Sequence, residues 1–204
     1  MKKLIKIKKN RGMSYVELIV VLSVFSVMTS VIIFNYREFQ AKIDIKNLAS
    51  DVALKIIEAQ NSSLSGTLPP PLQQSLITSP LTWRPSYGLF LNRVSDDKSF
   101  IYFTDLDQNG DLDNLSCTGN DECLDKILIT KGNSISSLDV FYQGGATVPL
   151  NDLTITFKRP DSGAIIKSST SFTSTVSYVQ ITIISPKSPT AKIKIYPSGR
   201  IQVN

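Results

Sequence analysis

The chain has 204 residues, enough for a long helix and one globular domain, and it carries a formal net charge of +5 without any histidine. The absence of histidine excludes Ser-His-Asp and Cys-His nucleophile systems, histidine general bases and histidine-ligated zinc. Six of the 22 Lys and Arg residues lie in residues 1–12 and the remaining 16 are matched by 17 acidic residues, so the basic character belongs to the first twelve residues and gives nucleic-acid binding no direct support.

A basic segment, a glycine, a single carboxylate and a long apolar run follow one another at the N-terminus. The basic segment ends at Gly12, Glu17 stands five positions later, and residues 18–34 are all apolar or carry a small hydroxyl. A run of about 20 such residues is long enough to cross a bilayer, and a carboxylate beside it costs a few kcal/mol unless it is paired. The pattern predicts a transmembrane helix over residues 13–34.

This N-terminus resembles the class III signal of type IV pilins and type II secretion pseudopilins, in which the same four features occur in the same register. The resemblance implies that residues 1–12 are a leader peptide, which prepilin peptidase removes after Gly12. It also implies N-methylation of the new N-terminal residue, Met13, and places Glu17 opposite the N-terminal amine of a neighbouring filament subunit. The positive-inside rule places the leader in the cytoplasm and the C-terminal domain outside.

Two simpler interpretations of the N-terminus compete with the prepilin. An ordinary secretory signal requires an Ala-x-Ala-like cleavage site after its apolar region, and residues 35–39 contain none. A plain signal anchor explains the basic flank and the apolar run, but it does not explain the position of Glu17. We therefore favour the prepilin and keep the plain anchor as the alternative.

The helix is predicted to continue as an amphipathic segment over residues 35–65 and to end at Gly66 and the three prolines that follow. The apolar residues expected to share its buried face are Phe39, Ile43, Val52, Ile56 and Ala59.

Residues 66–204 are predicted to form a β-rich domain of seven or eight strands. The candidate segments are rich in Val, Ile, Thr, Phe and Tyr and are Tyr87–Asn92, Ser99–Thr104, Lys126–Thr130, Ser134–Gln143, Leu153–Lys158, Val176–Ile184, Ala191–Tyr196 and Arg200–Val203. The first two are expected to form a hairpin around residues 95–98. The predicted fold class is α+β, a long N-terminal helix packed on a C-terminal antiparallel β domain.

An acidic stretch within this domain has the spacing of a calcium-binding loop. Seven of the 17 carboxylates lie in residues 105–125, and Gly110 stands at the sixth position, where such a loop turns sharply. Ser116 replaces the usual glutamate at the twelfth position, so Glu122 or Asp121 would have to fold back. The candidate ligands at the first, third, fifth, seventh and ninth positions are Asp105, Asp107, Asn109, Asp111 and Asp113.

Cys117 and Cys123 flank the end of this stretch and leave two alternatives open. Outside the cytoplasm they can form a disulfide that closes a short loop, or they can remain free thiols. The acidic stretch likewise is either a structural calcium site or a solvated loop whose Asp, Asn and Gly residues favour turns. Repulsion among the packed carboxylates favours a bound Ca²⁺.

Three functions remain open. The first is a minor pilin or pseudopilin, a non-catalytic subunit of a type IV pilus or type II secretion-type filament, whose partners are prepilin peptidase, other pilin subunits and the membrane. It would be a single-pass protein of the cytoplasmic membrane that assembles into a periplasmic or cell-surface filament. The alternative is a membrane-anchored extracytoplasmic module that binds calcium or another ligand without forming filaments. A surface enzyme is the third, but no recognisable nucleophile motif supports it, so we expect no enzymatic activity.

Overall fold

A long helix, α1 (Tyr15–Ser65), dominates the N-terminal part of the computed structural model, which describes residues 12–119 and 121–204. The helix begins after Ser14, whose carbonyl accepts the first helical hydrogen bond from the Leu18 N–H at 3.0 Å. It ends where Gly66 adopts a φ of 76° and donates its N–H to Ser63, while the Thr67 N–H donates to Ser62. These two bonds form a Schellman motif, for which glycine is the preferred residue. The chain divides into two compact units between residues 40 and 41.

In the second unit, residues 41–65 of α1 bury a single stripe of mostly small and aliphatic side chains. The buried residues follow steps of mostly three and four, as a helix face requires, and are Ile45, Ala49, Val52, Ala53, Ile56, Ala59 and Ser63. The predicted face was wrong at Phe39 and Ile43, which are 61% and 36% exposed. A step of nine residues advances an α-helix by about two and a half turns, so Ile43 lies on the face opposite Val52.

A short helix and ten strands follow within the described residues. Their bounds are α2 (Pro71–Gln74), β1 (Ser86–Asn92), β2 (Asp96–Thr104), β3 (Cys123–Leu128), β4 (Ser134–Tyr142), β5 (Thr147–Leu150), β6 (Asp152–Lys158), β7 (Ala164–Lys167), β8 (Val176–Ile184), β9 (Thr190–Ile195) and β10 (Ile201–Val203). One sheet, sheet A, has the strand order β3-β2-β1-β6-β7, and the other, sheet B, has the order β10-β9-β8-β4-β5. Every pairing is antiparallel, which confirms the predicted α+β class.

The predicted count of seven or eight strands was too low because two strands at sheet edges were missed. Strands β5 and β7 have four residues each and pair with one neighbour only. Pro149 lies within β5 and lacks the N–H that a central strand needs, so its place at an edge is physically expected. The first hairpin also turns earlier than predicted, since Asp96 already pairs with Asn92.

Both sheets and the second part of α1 contribute to one hydrophobic core. The alternation along β8 shows how the sequence builds it, because Val179, Ile181 and Ile183 are fully buried on the inner face. Residues 41–65 of the helix therefore pack on the antiparallel β domain.

The opposite face of sheet A carries a smaller apolar cluster. Ile101 and Phe103 of β2 and Cys123 of β3 form it, and Phe90 and Leu112 pack against them. Successive strand residues point to opposite faces of a sheet, so this cluster is separate from the main core. Leu112 belongs to the acidic stretch, which is thereby attached to the outer face of sheet A.

Candidate functional site

The predicted cleavage region begins outside the described residues, since the structure describes only Gly12 of the predicted leader. Gly12 and Met13 are exposed and precede the helix, so their peptide bond lies in accessible, non-helical chain. Glu17 stands in the first turn of α1, where its Oε2 accepts the Ser14 N–H at 3.4 Å. This contact is one half of a capping box, and a carboxylate in the first turn also interacts favourably with the helix dipole.

None of the residues from Gly12 to Ile33 is buried. Exposure is similar on all sides of the helix, because the successive residues Leu18, Ile19 and Val20, which lie about 100° apart around the axis, are 45%, 47% and 54% exposed. Helix α1 is long and apolar enough to cross a membrane by length and composition. A helix that is apolar all round needs an apolar environment on every side.

The acidic stretch connects β2 to β3 and curls back on itself. Gln108 and Gly110 have φ angles of 65° and 81°, and the Gly110 N–H donates to Oδ2 of Asp105 at 3.0 Å. The Thr156 hydroxyl of β6 donates to the Gly110 carbonyl at 3.1 Å and attaches the turn to sheet A. Gly110 therefore makes the sharp turn that the sequence predicts, and its N–H is bonded to Asp105, the first candidate ligand.

Three carboxylates converge in this loop. One oxygen each of Asp105, Asp107 and Glu122 lies within 4.8 Å of the other two, although Asp105 and Glu122 are only 1% and 5% exposed. Of the two acidic residues expected to fold back, Glu122 does so. Asp121 instead closes its own turn, with Oδ2 accepting from the Thr118 N–H and hydroxyl at 3.0 Å each.

Glu122 is fixed by backbone donors from the first half of the loop. Its Oε1 accepts the Leu106 N–H at 2.7 Å, and its Oε2 accepts the Asp113 N–H at 3.2 Å. Burial is the largest influence on its carboxyl and raises the pKa of Glu122 to about 7, although the two N–H donors act in the opposite direction. The negative charges of Asp113 and Asp105 contribute to the increase.

Asp105 is the most deeply buried member of the cluster. Its Oδ2 accepts from the Ser86 hydroxyl at 3.1 Å and from Gly110, whereas its buried Oδ1 has no hydrogen-bond partner among the described residues. Burial raises the pKa of Asp105 to about 6, and the charge of Asp107 adds to this increase. Buried polar atoms normally have partners, so this oxygen is available to a donor or a cation.

The other three predicted ligands lie around this cluster with different partners. The Asn109 side-chain nitrogen donates to Asp107 Oδ2 at 2.9 Å and to Asp113 Oδ1 at 2.8 Å and thus bridges the two carboxylates. The carboxylate of Asp111 pairs with Nζ of Lys167 at 3.2 Å, and Lys167 also donates to the Asn109 carbonyl. Asp105 and Asp107 are thus brought together with Glu122, while the Asp111 carboxylate is held by a lysine.

Cys117 and Cys123 are joined in a disulfide with a Cα–Cα distance of 5.0 Å. The Asp121 Oδ1 accepts the Cys123 N–H at 3.1 Å inside the ring that the disulfide closes. The disulfide therefore fixes the segment that carries Glu122 into the loop.

Comparison with protein-family models, curated proteins and solved structures found no match to this chain. A long, apolar N-terminal helix whose second part packs on an antiparallel β domain is pilin-like in shape.

Proposed function

We propose that the chain is a minor pilin or pseudopilin, a non-catalytic structural subunit of a type IV pilus or type II secretion-type filament. The observation that carries the proposal is the register at the N-terminus, where a basic segment, Gly12, Glu17 and a helix that is apolar on all sides follow one another. The pilin-like shape of the described chain supports it. Prepilin peptidase would cut between Gly12 and Met13, in chain that is exposed and non-helical.

In this proposal Glu17 selects the assembled state. Before assembly, the apolar part of α1 lies in the cytoplasmic membrane, with its basic flank on the cytoplasmic side and the β domain outside. A carboxylate near hydrocarbon is costly, and a neighbouring subunit would supply its counter-ion as an N-terminal amine. The pair would fix the axial register between subunits, because each charge finds its partner at one position only.

The test is incorporation of Glu17→Ala into filaments, with Glu38→Ala as the matched control on the same helix. Glu38 is an exposed carboxylate beyond the apolar run. We expect Glu17→Ala to be inserted and processed but to enter sheared filaments at about one tenth of the wild-type level or less, which corresponds to roughly 1.4 kcal/mol. Glu38→Ala should assemble normally. Normal assembly of Glu17→Ala would remove the main support for a filament subunit.

We also propose that the acidic loop holds a structural Ca²⁺. The residues that would hold it are Asp105, Asp107 and Glu122, with Asn109 and Asp113 beside them. Calcium takes 6–8 oxygen ligands, and the loop offers carboxylates, an amide and backbone carbonyls of this kind. The cation would compensate the charge of the cluster. The Asp111 carboxylate pairs with Lys167, so this residue would contribute at most its backbone carbonyl.

The calcium proposal is tested by titrating the full chain in detergent with Ca²⁺ and following its Tm. Wild type and Asp161→Asn, a control at an exposed carboxylate outside the acidic stretch, should both gain stability. Asp105→Asn should not. A membrane-anchored calcium-binding module remains the second candidate function, since the cluster lies wholly in the second unit. If the chain is such a module, Glu17→Ala should bind Ca²⁺ as the wild type does and should lose no function.

A further inference from the structure

We propose that Gln73 of α2 is a positioning residue of the acidic site, which holds the backbone on both sides of Glu122 so that this carboxylate closes the cation site. The inference rests on the proposed calcium function and adds a residue that the calcium-loop spacing does not contain. Gln73 stands 32 residues before Asp105, the first position of that spacing.

The side chain of Gln73 binds the chain immediately before and immediately after Glu122. Gln73 is only 3% exposed, and its Nε2 donates to the carbonyl of Asp121 at 2.8 Å and to the carbonyl of Cys123 at 2.9 Å. An amide nitrogen has two hydrogens, so both are used here. Because buried hydrogen bonds of this kind are costly to break, the two carbonyls are fixed relative to α2.

Glu122 is held at two points, because other residues donate hydrogen bonds to its backbone carbonyl and to its carboxylate. Its carbonyl accepts the Thr104 N–H of β2 at 2.9 Å. All three successive carbonyls from residue 121 to residue 123 are therefore engaged. The carboxylate at the end of the side chain accepts the N–H groups of Leu106 and Asp113 and reaches the other two carboxylates. A shift of this backbone would withdraw the carboxylate from the cluster.

A second, independent observation indicates that the cluster takes a cation. Asp105 is 1% exposed, and its Oδ1 is buried without a hydrogen-bond partner among the described residues. The carboxylate of this residue is one of the three that converge. A hard cation bound between the three groups would supply the missing partner, with Glu122 in the role that the twelfth-position glutamate plays in other calcium loops.

The neighbouring residue provides a matched control. Gln74 belongs to the same short helix, but it is exposed and its Nε2 donates to the carbonyl of Pro69 at 2.7 Å, five residues away. Both glutamines thus bind backbone carbonyls through the same group. Of these two side chains, only that of Gln73 hydrogen-bonds to described residues of the segment that carries Glu122.

The experiment is calorimetric titration of the full chain in detergent with Ca²⁺, for wild type, Gln73→Met, Gln74→Met, Glu122→Gln and the double variant Gln73→Met/Glu122→Gln. Residues that orient metal ligands contribute about 10–100-fold in affinity. We expect Gln73→Met to bind Ca²⁺ at least about tenfold more weakly and Gln74→Met to bind like wild type. In the Glu122→Gln background, Gln73→Met should weaken binding no further, because its effect passes through Glu122.

The outcomes separate the inference from the proposed function. Absence of Ca²⁺ binding to wild type would overturn both. Binding of Ca²⁺ to Gln73→Met with wild-type affinity, or an additive loss in the double variant, would overturn the role of Gln73 alone. A purely structural role would lower the Tm measured without calcium and leave the affinity unchanged. If Gln73→Met does not fold, Gln73→Asn replaces it, since the shorter amide cannot reach both carbonyls and the same loss is expected.

Discussion

The two units of the chain differ in the side chains that set their requirements: exposed apolar ones in the first unit and a group of carboxylates in the second. In residues 12–33 no apolar side chain is buried, and even large ones such as Phe25 and Ile32 are more than half exposed. In residues 41–204 both sheets and the second part of α1 share a hydrophobic core, and three carboxylates converge in the acidic loop. The first unit is therefore the candidate for burial in lipid, and the second is the candidate for binding a proton or a cation.

The sequence of α1 explains why its two segments differ in burial. Residues 18–34 contain no charged side chain, whereas charges recur throughout residues 41–65 and restrict burial to a single stripe. Ile45, Val52 and Ile56 find their partners in the β domain of the same chain. One helix thus combines a segment that depends on its surroundings with a segment that belongs to a domain core.

Two truncations should give the largest contrast between the segments. A fragment of residues 41–204 should fold, because it keeps the whole core, whereas a fragment of residues 66–204 should not. Burial of Ile45, Val52 and Ile56 contributes about 1.5–3 kcal/mol each, and a domain has a free energy of unfolding of about 5–15 kcal/mol in total. Thermal unfolding followed by circular dichroism should be cooperative for the longer fragment only. A cooperative transition in the shorter one would contradict the assignment of residues 41–65 to the core.

Adjacent isoleucines allow a finer comparison on the same turn. Ile56 is fully buried and Ile57 is 38% exposed. In the fragment of residues 41–204, Ile56→Ala should lower the free energy of unfolding by about 2–5 kcal/mol, and Ile57→Ala by about 1 kcal/mol or less. Urea unfolding measures both. Equal losses would mean that the buried stripe is assigned to the wrong face.

The carboxylate cluster should make the stability of the calcium-free second unit depend on pH. The pKa values of Asp105 and Glu122 are raised to about 6 and about 7, so the folded state holds protons that the unfolded state has already released. Stability from these groups is complete at low pH and is lost as pH rises to about 7. The Tm in EDTA should therefore be higher at pH 5 than at pH 8.

Calcium should oppose this trend, because its carboxylate ligands must lose their protons. The gain in Tm on adding Ca²⁺ should be larger at pH 8 than at pH 5, and Glu122→Gln should reduce both the slope in EDTA and the calcium gain. The chain has no histidine, so this pH range contains no imidazole titration. A Tm in EDTA that rises from pH 5 to pH 8 would contradict the assignment of the slope to these two carboxylates.

The smallest effect is expected at an ion pair between α1 and the β domain. Nζ of Lys131 lies 2.7 Å from Oδ1 of Asp44, with the lysine side chain 62% exposed. Exposed pairs contribute about 0.2–1 kcal/mol, so Lys131→Gln should lower the free energy of unfolding of residues 41–204 by that amount and less at high salt. A loss as large as that of Ile56→Ala would show that charge, not apolar burial, attaches this part of the helix.

Long periodic segments were predictable from the sequence, whereas short edges were not. The bounds of β8 match the prediction because Val179, Ile181 and Ile183 alternate with polar residues within a long run of strand-forming residues, and the end of α1 follows from Gly66 and the prolines. Strands β5 and β7 are too short to show a period, and α2 has only four residues. The prediction was wrong at Ile43 because the step of nine residues from it to Val52 spans about two and a half helical turns, which places the two side chains on opposite faces.

The acidic site was predictable only in part, for a related reason. The spacing from Asp105 to Asp113 is local and visible in the sequence. The closing carboxylate, Glu122, is placed by strand pairing and a disulfide, so the spacing left it as one of two alternatives. The contacts of Gln73 span 48 and 50 residues, and no local pattern indicates them.

The proposal that the chain is a prepilin-class subunit is tested most directly by mass spectrometry of the mature N-terminus, from cells with and without prepilin peptidase. A prepilin-class subunit predicts a chain that begins at N-methylated Met13 when the peptidase is present and retains residues 1–12 when it is absent. A chain that keeps residues 1–12 in both strains would contradict the account. The apolar part of α1 would then be a plain membrane anchor for the β domain.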